Sequence, residues 1–251
     1  MKTTVQKKIT TLSLLITIFI FSLNISHSQQ PPKNQISIDL GNGNIIELVY
    51  INSGQFQMIA EEGKPGRLIN ISNGFWIGKY EVTQFQWLAV MGNNPSRWIG
   101  YDLPVENVSW NDTMEFCKKL SEKIGKKISP PTEDQWEYVY QTGLKQSAEI
   151  NLADEAWYKD NAEGRTHLVG QKQPNARGLY DLLGNVWEWC LDSCSKESLS
   201  QKNDLDSYKK DYRVFRGGCW FNSKKVILAP RFYDEPSYKS PCIGFRIVVN
   251  E

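Results

Sequence analysis

The sequence predicts a single α+β domain. Three observations carry that reading. An early stretch alternates apolar and polar residues around a Gly-Asn turn. Three middle segments carry helix start and stop signals. The chain beyond Gly143 has only short apolar runs among Gly, Asn, Asp and Ser, so long ordered loops with a few strands are expected there.

The alternation runs through Ile36, Ile38 and Leu40, then Ile46, Leu48 and Tyr50. Gly41-Asn42-Gly43-Asn44 between them is hairpin-turn chemistry. Phe56 and Met58 continue the strand character, and Phe75, Ile77 and Tyr80 make another short strand. Thr83 and Gln86 have capping-box spacing before Leu88 and Met91, and Gly92 ends that helix. Asp112 and Glu115 mark the second helix start. Its stripe is Phe116, Cys117, Leu120 and Ile124, and Gly125 stops it. Thr132 and Gln135 open a third, with Trp136, Val139 and Tyr140 inward and Gly143 at its end. Val214–Phe215 and Ile243–Val249 read as strands.

Residues 1–28 read as a signal peptide. Lys2, Lys7 and Lys8 precede an apolar run from Leu12 to Leu23, shorter than the roughly 20 residues that span a bilayer. Ser26-His27-Ser28 supplies small residues at alternating positions, which places cleavage before Gln29, the alternative being an uncleaved membrane anchor. Residues 29–35 form a polar linker and 36–251 the domain. No cysteine follows the run, so the expected location is secreted or periplasmic, with no membrane attachment after cleavage. The formal net charge is +1 with no basic block, so nucleic acid is not an expected partner. Nine tryptophans suit a core with little regular structure, or a carbohydrate or peptide site. The cysteines are Cys117, Cys190, Cys194, Cys219 and Cys242, enough for two bridges and one thiol in an oxidising compartment. His167 is the only histidine after the signal segment, which argues against zinc or iron on a histidine cluster.

Five ordered stretches then resemble the formylglycine-generating, sulfatase-modifying-factor family. They are Phe75-Trp76-Ile77-Gly78-Lys79-Tyr80-Glu81-Val82-Thr83, then Pro104-Val105-Glu106-Asn107-Val108-Ser109-Trp110 with Phe116-Cys117, then Pro131-Thr132-Glu133-Asp134-Gln135-Trp136-Glu137-Tyr138. The most specific is Gly178-Leu179-Tyr180-Asp181-Leu182-Leu183-Gly184-Asn185-Val186-Trp187-Glu188-Trp189. The last joins Arg213-Val214-Phe215-Arg216-Gly217-Gly218 to Ala229-Pro230-Arg231 and Gly244-Phe245-Arg246. The resemblance implies a formylglycine-generating-enzyme-like, C-type-lectin-related fold. The chain departs from the family pattern at Ile51-Asn52-Ser53-Gly54, where a Pro-Gly-Gly turn is usual, and at Met58-Ile59, where Met-Gly is usual. It therefore reads as a divergent member.

The resemblance implies a structural calcium ion on Asp181 and Glu188 side chains and on Gly184 and Val186 carbonyls, oxygen donors of the kind calcium takes. The alternative for Glu188 is a buried ion pair with Arg216, Arg231 or Arg246. The family's oxidases hold copper on two cysteines after the Gly-Gly, and those positions are Asn222 and Ile227 here. Copper is therefore not expected. Cys219 follows the glycines directly and is the one weak catalytic candidate. It is otherwise expected to bridge to Cys190 or Cys194, or to be a buried thiol. By analogy with the family, Cys117 is expected to bridge to Cys242. Related sulfoxide synthases carry an added helical domain with iron-binding histidines, which this chain lacks. Trp110-Asn111-Asp112 mimics a lectin sugar triplet but reads as helix capping, and His167 as a surface loop residue. Asn70, Asn107 and Asn111 each open a glycosylation triplet, relevant only in a eukaryotic secretory route. The reading is an exported, non-catalytic or re-purposed binding module. Its cleft near Trp187, Trp220 and Arg231 would engage a peptide, glycan or protein. The alternative is an oxidase generating formylglycine on an exported protein such as a sulfatase.

Overall fold

Strand β1 (Gln35–Gly41) turns into β2 (Asn44–Ile51) as the alternation requires, with Asp39 opposite Ile45 and Gly41 opposite Asn44. Asn42 and Gly43 both hold positive φ, 55° and 76°, so the Asn-Gly pair supplies the left-handed turn. A computed structural model gives these coordinates, and it describes residues 34–58, 66–144, 151–194, 211–227 and 231–250. The expected signal peptide, Ile59, Ala229 and Pro230 lie outside the described residues.

β3 (Gly54–Gln57) does not prolong β2 but pairs with β4 (Leu68–Ile71) as a separate ribbon. β5 (Phe75–Gly78) joins β2. Helix α1 (Gln84–Met91) starts at Thr83 with the predicted box and ends at Gly92, φ 77°. Helix α2 (Trp110–Ile124) starts earlier than predicted. Ser109, not Asp112, is its N-cap, and Asp112 is the residue that reaches back to the Ser109 N–H at 2.8 Å. The Trp-Asn-Asp triplet is thus helix-start chemistry, as expected. β6 (Ile128–Ser129) leads to α3 (Glu133–Thr142), capped by Thr132 and Gln135.

The second half holds more regular structure than the sequence promised. After the one-turn α4 (Leu152–Glu155), the Trp-Glu-Trp tract itself is a strand, β7 (Trp187–Cys194). It pairs antiparallel with β8 (Tyr212–Arg216), and the one-turn α5 (Lys224–Ile227) and β9 (Arg231–Asp234) follow. The single strand expected over Ile243–Val249 is two. β10 (Ile243–Gly244) lies parallel to β7, and β11 (Val248–Asn250) lies between β5 and β6. The chain changes sheets at Phe245–Ile247, where Phe245 and Ile247 carbonyls accept from Val82 and Gly78 N–H groups at 2.8 Å each. The sheets run β1-β2-β5-β11-β6 and β10-β7-β8-β9. Aromatic side chains fill the core: Trp87 stacks on Phe116 at 5.4 Å, and Trp189 meets Phe215 edge-on at 5.0 Å. Arg246, at the crossover, is wholly buried among them.

Candidate functional site

A fully buried arginine must be neutralised where it sits. Arg246 donates from Nε to Glu188 Oε2 at 2.7 Å and from Nη2 to Glu188 Oε1 at 2.6 Å. Its remaining contacts are Nη1 to the Gly78 carbonyl, 2.9 Å, and Nη2 to the Tyr180 carbonyl, 2.8 Å. Trp136 Nε1 adds a third donor to Glu188 at 2.8 Å. Of the three arginines open to Glu188 in the sequence, Arg246 takes it. Arg231 instead grips Glu133 of α3 with Nε and Nη2, at 2.7 and 3.1 Å, and Arg216 pairs with Glu133 and Glu137.

Two further carboxylates crowd this centre. Glu81 accepts from Asn185 Nδ2 at 2.6 Å and from the Val186 N–H at 3.0 Å. Burial, then the charges of Asp181 and Glu188, push Glu81 well above the usual carboxylate range. Asp181 has φ 56° and accepts the Gly170 N–H at 2.7 Å through Oδ2. Its other oxygen is buried without a partner, and burial raises its pKa to about 6. One arginine thus stands against three buried acids. Glu81 escaped the sequence reading, although it lies in the Lys79-Tyr80-Glu81-Val82-Thr83 stretch already singled out. Its signal is an acid between apolar neighbours in a strand-to-helix junction.

Gly184 fixes the turn of this tract. Its φ is 80°, and a Cβ there would lie 2.2 Å from the Trp157 carbonyl. Asn185, φ 51°, accepts the His167 N–H at 2.9 Å. His167 lies in a loop, half-buried, and is stacked on Trp157 with ring centroids 3.8 Å apart. Among the described residues no set of three or more His, Cys, Asp or Glu side chains is arranged to hold a metal ion. Calcium at this tract would rest on Asp181 Oδ1, the open buried donor, supplemented by backbone carbonyls.

The loop after β8 lies against the same turn: Gly184 N–H donates to the Gly217 carbonyl and Trp220 N–H to the Asn185 carbonyl, each 2.9 Å. Asn222 turns its Oδ1 onto the Cys219 N–H at 2.8 Å. Ile227 is wholly buried and presses on Gly218, where a Cβ would come within 2.4 Å of its methyl. Trp187 and Trp220 flank Cys242: Trp187 N–H donates to the Cys242 carbonyl at 2.7 Å, and Trp220 Nε1 to the Pro241 carbonyl at 3.0 Å. Both indoles are buried, Trp187 against Phe215 and Phe232 and Trp220 against Trp98. Arg231 is committed to Glu133, so the three residues expected to line a cleft are largely packed. A pocket does open beside the acid centre, lined by Tyr140, Leu144, Glu155, Gln173 and Asp181.

No disulfide joins the described cysteines. Neither expected pairing is present. The Cys219 thiol instead neighbours that of Cys242, while Cys194 contacts Arg231 and burial alone acts on the Cys117 thiol. The sequence could not show this, because the two segments are brought together by long-range contacts such as Trp220 Nε1 to the Pro241 carbonyl.

Comparison with known proteins agrees with this architecture. The sulfatase-modifying factor enzyme 1-like domain matches residues 39–251. Chaperone protein LppX of Paenibacillus barcinonensis is 30% identical, over 80% of this chain and 89% of its own length. The inactive C-alpha-formylglycine-generating enzyme 2 of Bos taurus is 31% identical over 58% of this chain, which spans 50% of that protein. The solved structure of Treponema denticola variable protein 1 superposes with a TM-score of 0.75 at 27% identity, covering 88% of this chain and all of that one. Among the described residues no helix is long and apolar enough to cross a membrane. With the ordered motifs, the Arg246 crossover and these matches in agreement, the chain belongs to the sulfatase-modifying factor enzyme 1-like family.

Proposed function

We propose that this domain is an exported binding module for a polypeptide partner, not a copper-dependent formylglycine-generating oxidase. One observation carries the reading. The two positions where the family resemblance puts copper-binding thiolates hold Asn222, whose side chain caps the Cys219 N–H, and Ile227, whose side chain fills the core. Neither residue offers the soft sulfur that Cu(I) prefers. The names of two relatives, a chaperone and an inactive enzyme, support the same direction. Export would begin the mature chain at Gln29, which N-terminal sequencing checks.

The oxidase alternative has a direct assay. The purified chain is incubated with a Cys-x-Pro-x-Arg peptide, oxygen and copper, and the peptide mass is followed. The expected result is unchanged peptide, together with saturable binding of an unfolded reporter polypeptide and slower aggregation of that reporter. Aldehyde formation above a no-protein control would overturn the reading.

Calcium belongs to the same proposal as a structural ion. It would be held by Asp181, with Gly184 and Val186 carbonyls and the Glu188 carboxylate that Arg246 already shares. Bound there, it would supply the positive charge that three buried acids and one arginine lack.

A further inference from the structure

Beyond the binding role, the loop after Gly218 holds a feature that role does not use. Cys219 and Cys242 are distant in sequence, yet their thiols lie close enough to influence one another. The contact is built, because three backbone or indole hydrogen bonds fix the two segments beside it: Trp220 Nε1 to Pro241 O, Trp187 N to Cys242 O and Trp220 N to Asn185 O. The two sulfurs are not equivalent. Cys219 is sealed, 1% exposed, whereas Cys242 is half-buried.

We propose that Cys219 and Cys242 are a thiol–disulfide exchange pair that accepts a disulfide from a polypeptide, with Cys242 attacking and Cys219 resolving. The steps balance without another oxidant. The Cys242 thiolate attacks one sulfur of R–S–S–R′, that bond breaks, and R′S⁻ leaves and takes a proton. A mixed disulfide Cys242–S–S–R remains. Cys219 gives up its proton, attacks the Cys242 sulfur and expels RS⁻, which is protonated in turn. Two protein thiols are oxidised and one disulfide is reduced to two thiols.

The surroundings support this division of labour. Burial keeps the Cys219 thiol protonated, while the neighbouring Cys219 thiol and then the Ser240 hydroxyl hold Cys242 below the usual thiol range against its own partial burial. Glu106 is the acid facing Cys242 and opposes the thiolate. Exposed Phe221, at 62%, packs on Trp220 at 5.5 Å, and exposed Ile99, at 75%, follows Trp98, which meets Trp220 edge-on at 5.0 Å. An extended peptide chain covers such side chains, and a tripeptide disulfide does not.

The test follows the thiols of the folded full-length chain under anaerobic conditions. Acid-quenched samples are mapped by mass spectrometry after exposure to oxidised glutathione or to a disulfide-linked dimer of an apolar peptide. The unaltered chain is expected to gain a Cys219–Cys242 bridge. Cys219→Ala is expected to trap a mixed disulfide on Cys242, and Cys242→Ala to trap none. The peptide disulfide is expected to react roughly tenfold faster than glutathione, a factor worth about 1.4 kcal/mol of contact. Iodoacetamide footprinting of the unaltered chain needs no variant, and there Cys242 is expected to label before Cys219. A bridge from Cys219 to Cys190 or Cys194, adduct on Cys219, no bridge at all, or equal rates for the two disulfides would overturn the proposal. Because bridge mapping with glutathione does not depend on polypeptide affinity, its failure is distinguishable from failure of the binding role.

Discussion

The Arg246–Glu188 pair at the heart of the acid centre and the Cys219–Cys242 rim are linked through the Gly184–Gly217 and Asn185–Trp220 hydrogen bonds, yet they treat polar groups in opposite ways. In the centre, every nitrogen of the Arg246 guanidinium and both oxygens of Glu188 have partners, with no exposure at either side chain. At the rim, Glu106 leaves one buried oxygen unpartnered, and two thiols face each other where a bridge is absent. A closed network rigidifies a fold. Partly satisfied groups beside it are where side chains can change without loss of the frame. The difference teaches that the contacts that hold the family frame and the partly satisfied groups beside them are adjacent but separable parts of this domain.

The largest expected effect tests the closed side. Arg246→Met leaves Glu188, Glu81 and Asp181 without their cation, and loss of one partner from a buried pair costs about 3–5 kcal/mol. Urea unfolding should show that loss in the midpoint with little change in slope. The double variant Glu188→Leu with Arg246→Met should recover part of it, since removing both charges removes the unpaired one. A small single-variant effect would mean that the centre is not the closed unit described.

The next effect tests the open side. Burial, working against the Trp98 and Arg97 N–H groups, raises Glu106 to about 7. The folded chain therefore holds this proton while the unfolded chain has released it. Stability from this group is full below the unfolded pKa of 4.5 and falls as pH rises towards 7, by up to about 3 kcal/mol. Glu106→Gln should flatten that fall, because the amide oxygen still accepts from Arg97 and Trp98. Chemical denaturation of both proteins from pH 4 to 8 measures it, and parallel curves would place the orphan carboxyl in contact with water.

Much of the frame was legible in the sequence, because its signals are local. The Asn42-Gly43 turn, the Thr83 and Thr132 caps and the Gly92 and Gly125 stops each depend on residues within a few positions. The second helix start was misread by three residues, since Asp112 is equally good as a cap and as the box partner of Ser109. Strand β7 was missed because both of its faces are buried. Trp187 to Cys190 are all inside, so the alternation that marks a half-exposed strand is absent. The strand over Ile243–Val249 was read as one because its apolar run is continuous. Arg246 breaks it, turning inward to an acid fifty-eight positions away. The acid centre was half legible, through Asp181 and Glu188. Glu81 and the Cys219–Cys242 contact join across the fold and carry no local signal.

The smallest expected effect asks whether the closed centre has one more member. Three buried acids, one arginine and an unpartnered Asp181 oxygen leave negative charge in excess, which protons or calcium could offset. The two answers separate under control of both. If calcium offsets it, millimolar calcium at pH 7.5 should raise the melting temperature of the full-length chain relative to a chelator. At a hundredfold excess over the dissociation constant the gain is about 2.7 kcal/mol. Asp181→Asn keeps an amide oxygen and tolerates the positive φ. It should weaken the calcium response while leaving the chelated protein as stable or more so, because it also removes a buried acid. Magnesium should give a smaller shift, since it demands tighter octahedral geometry than carbonyls on a Gly-Asn turn provide. If neither ion moves the melt and calorimetry shows no heat of binding, the centre is balanced by protons on Glu81 and Asp181. It is then complete with Arg246 alone.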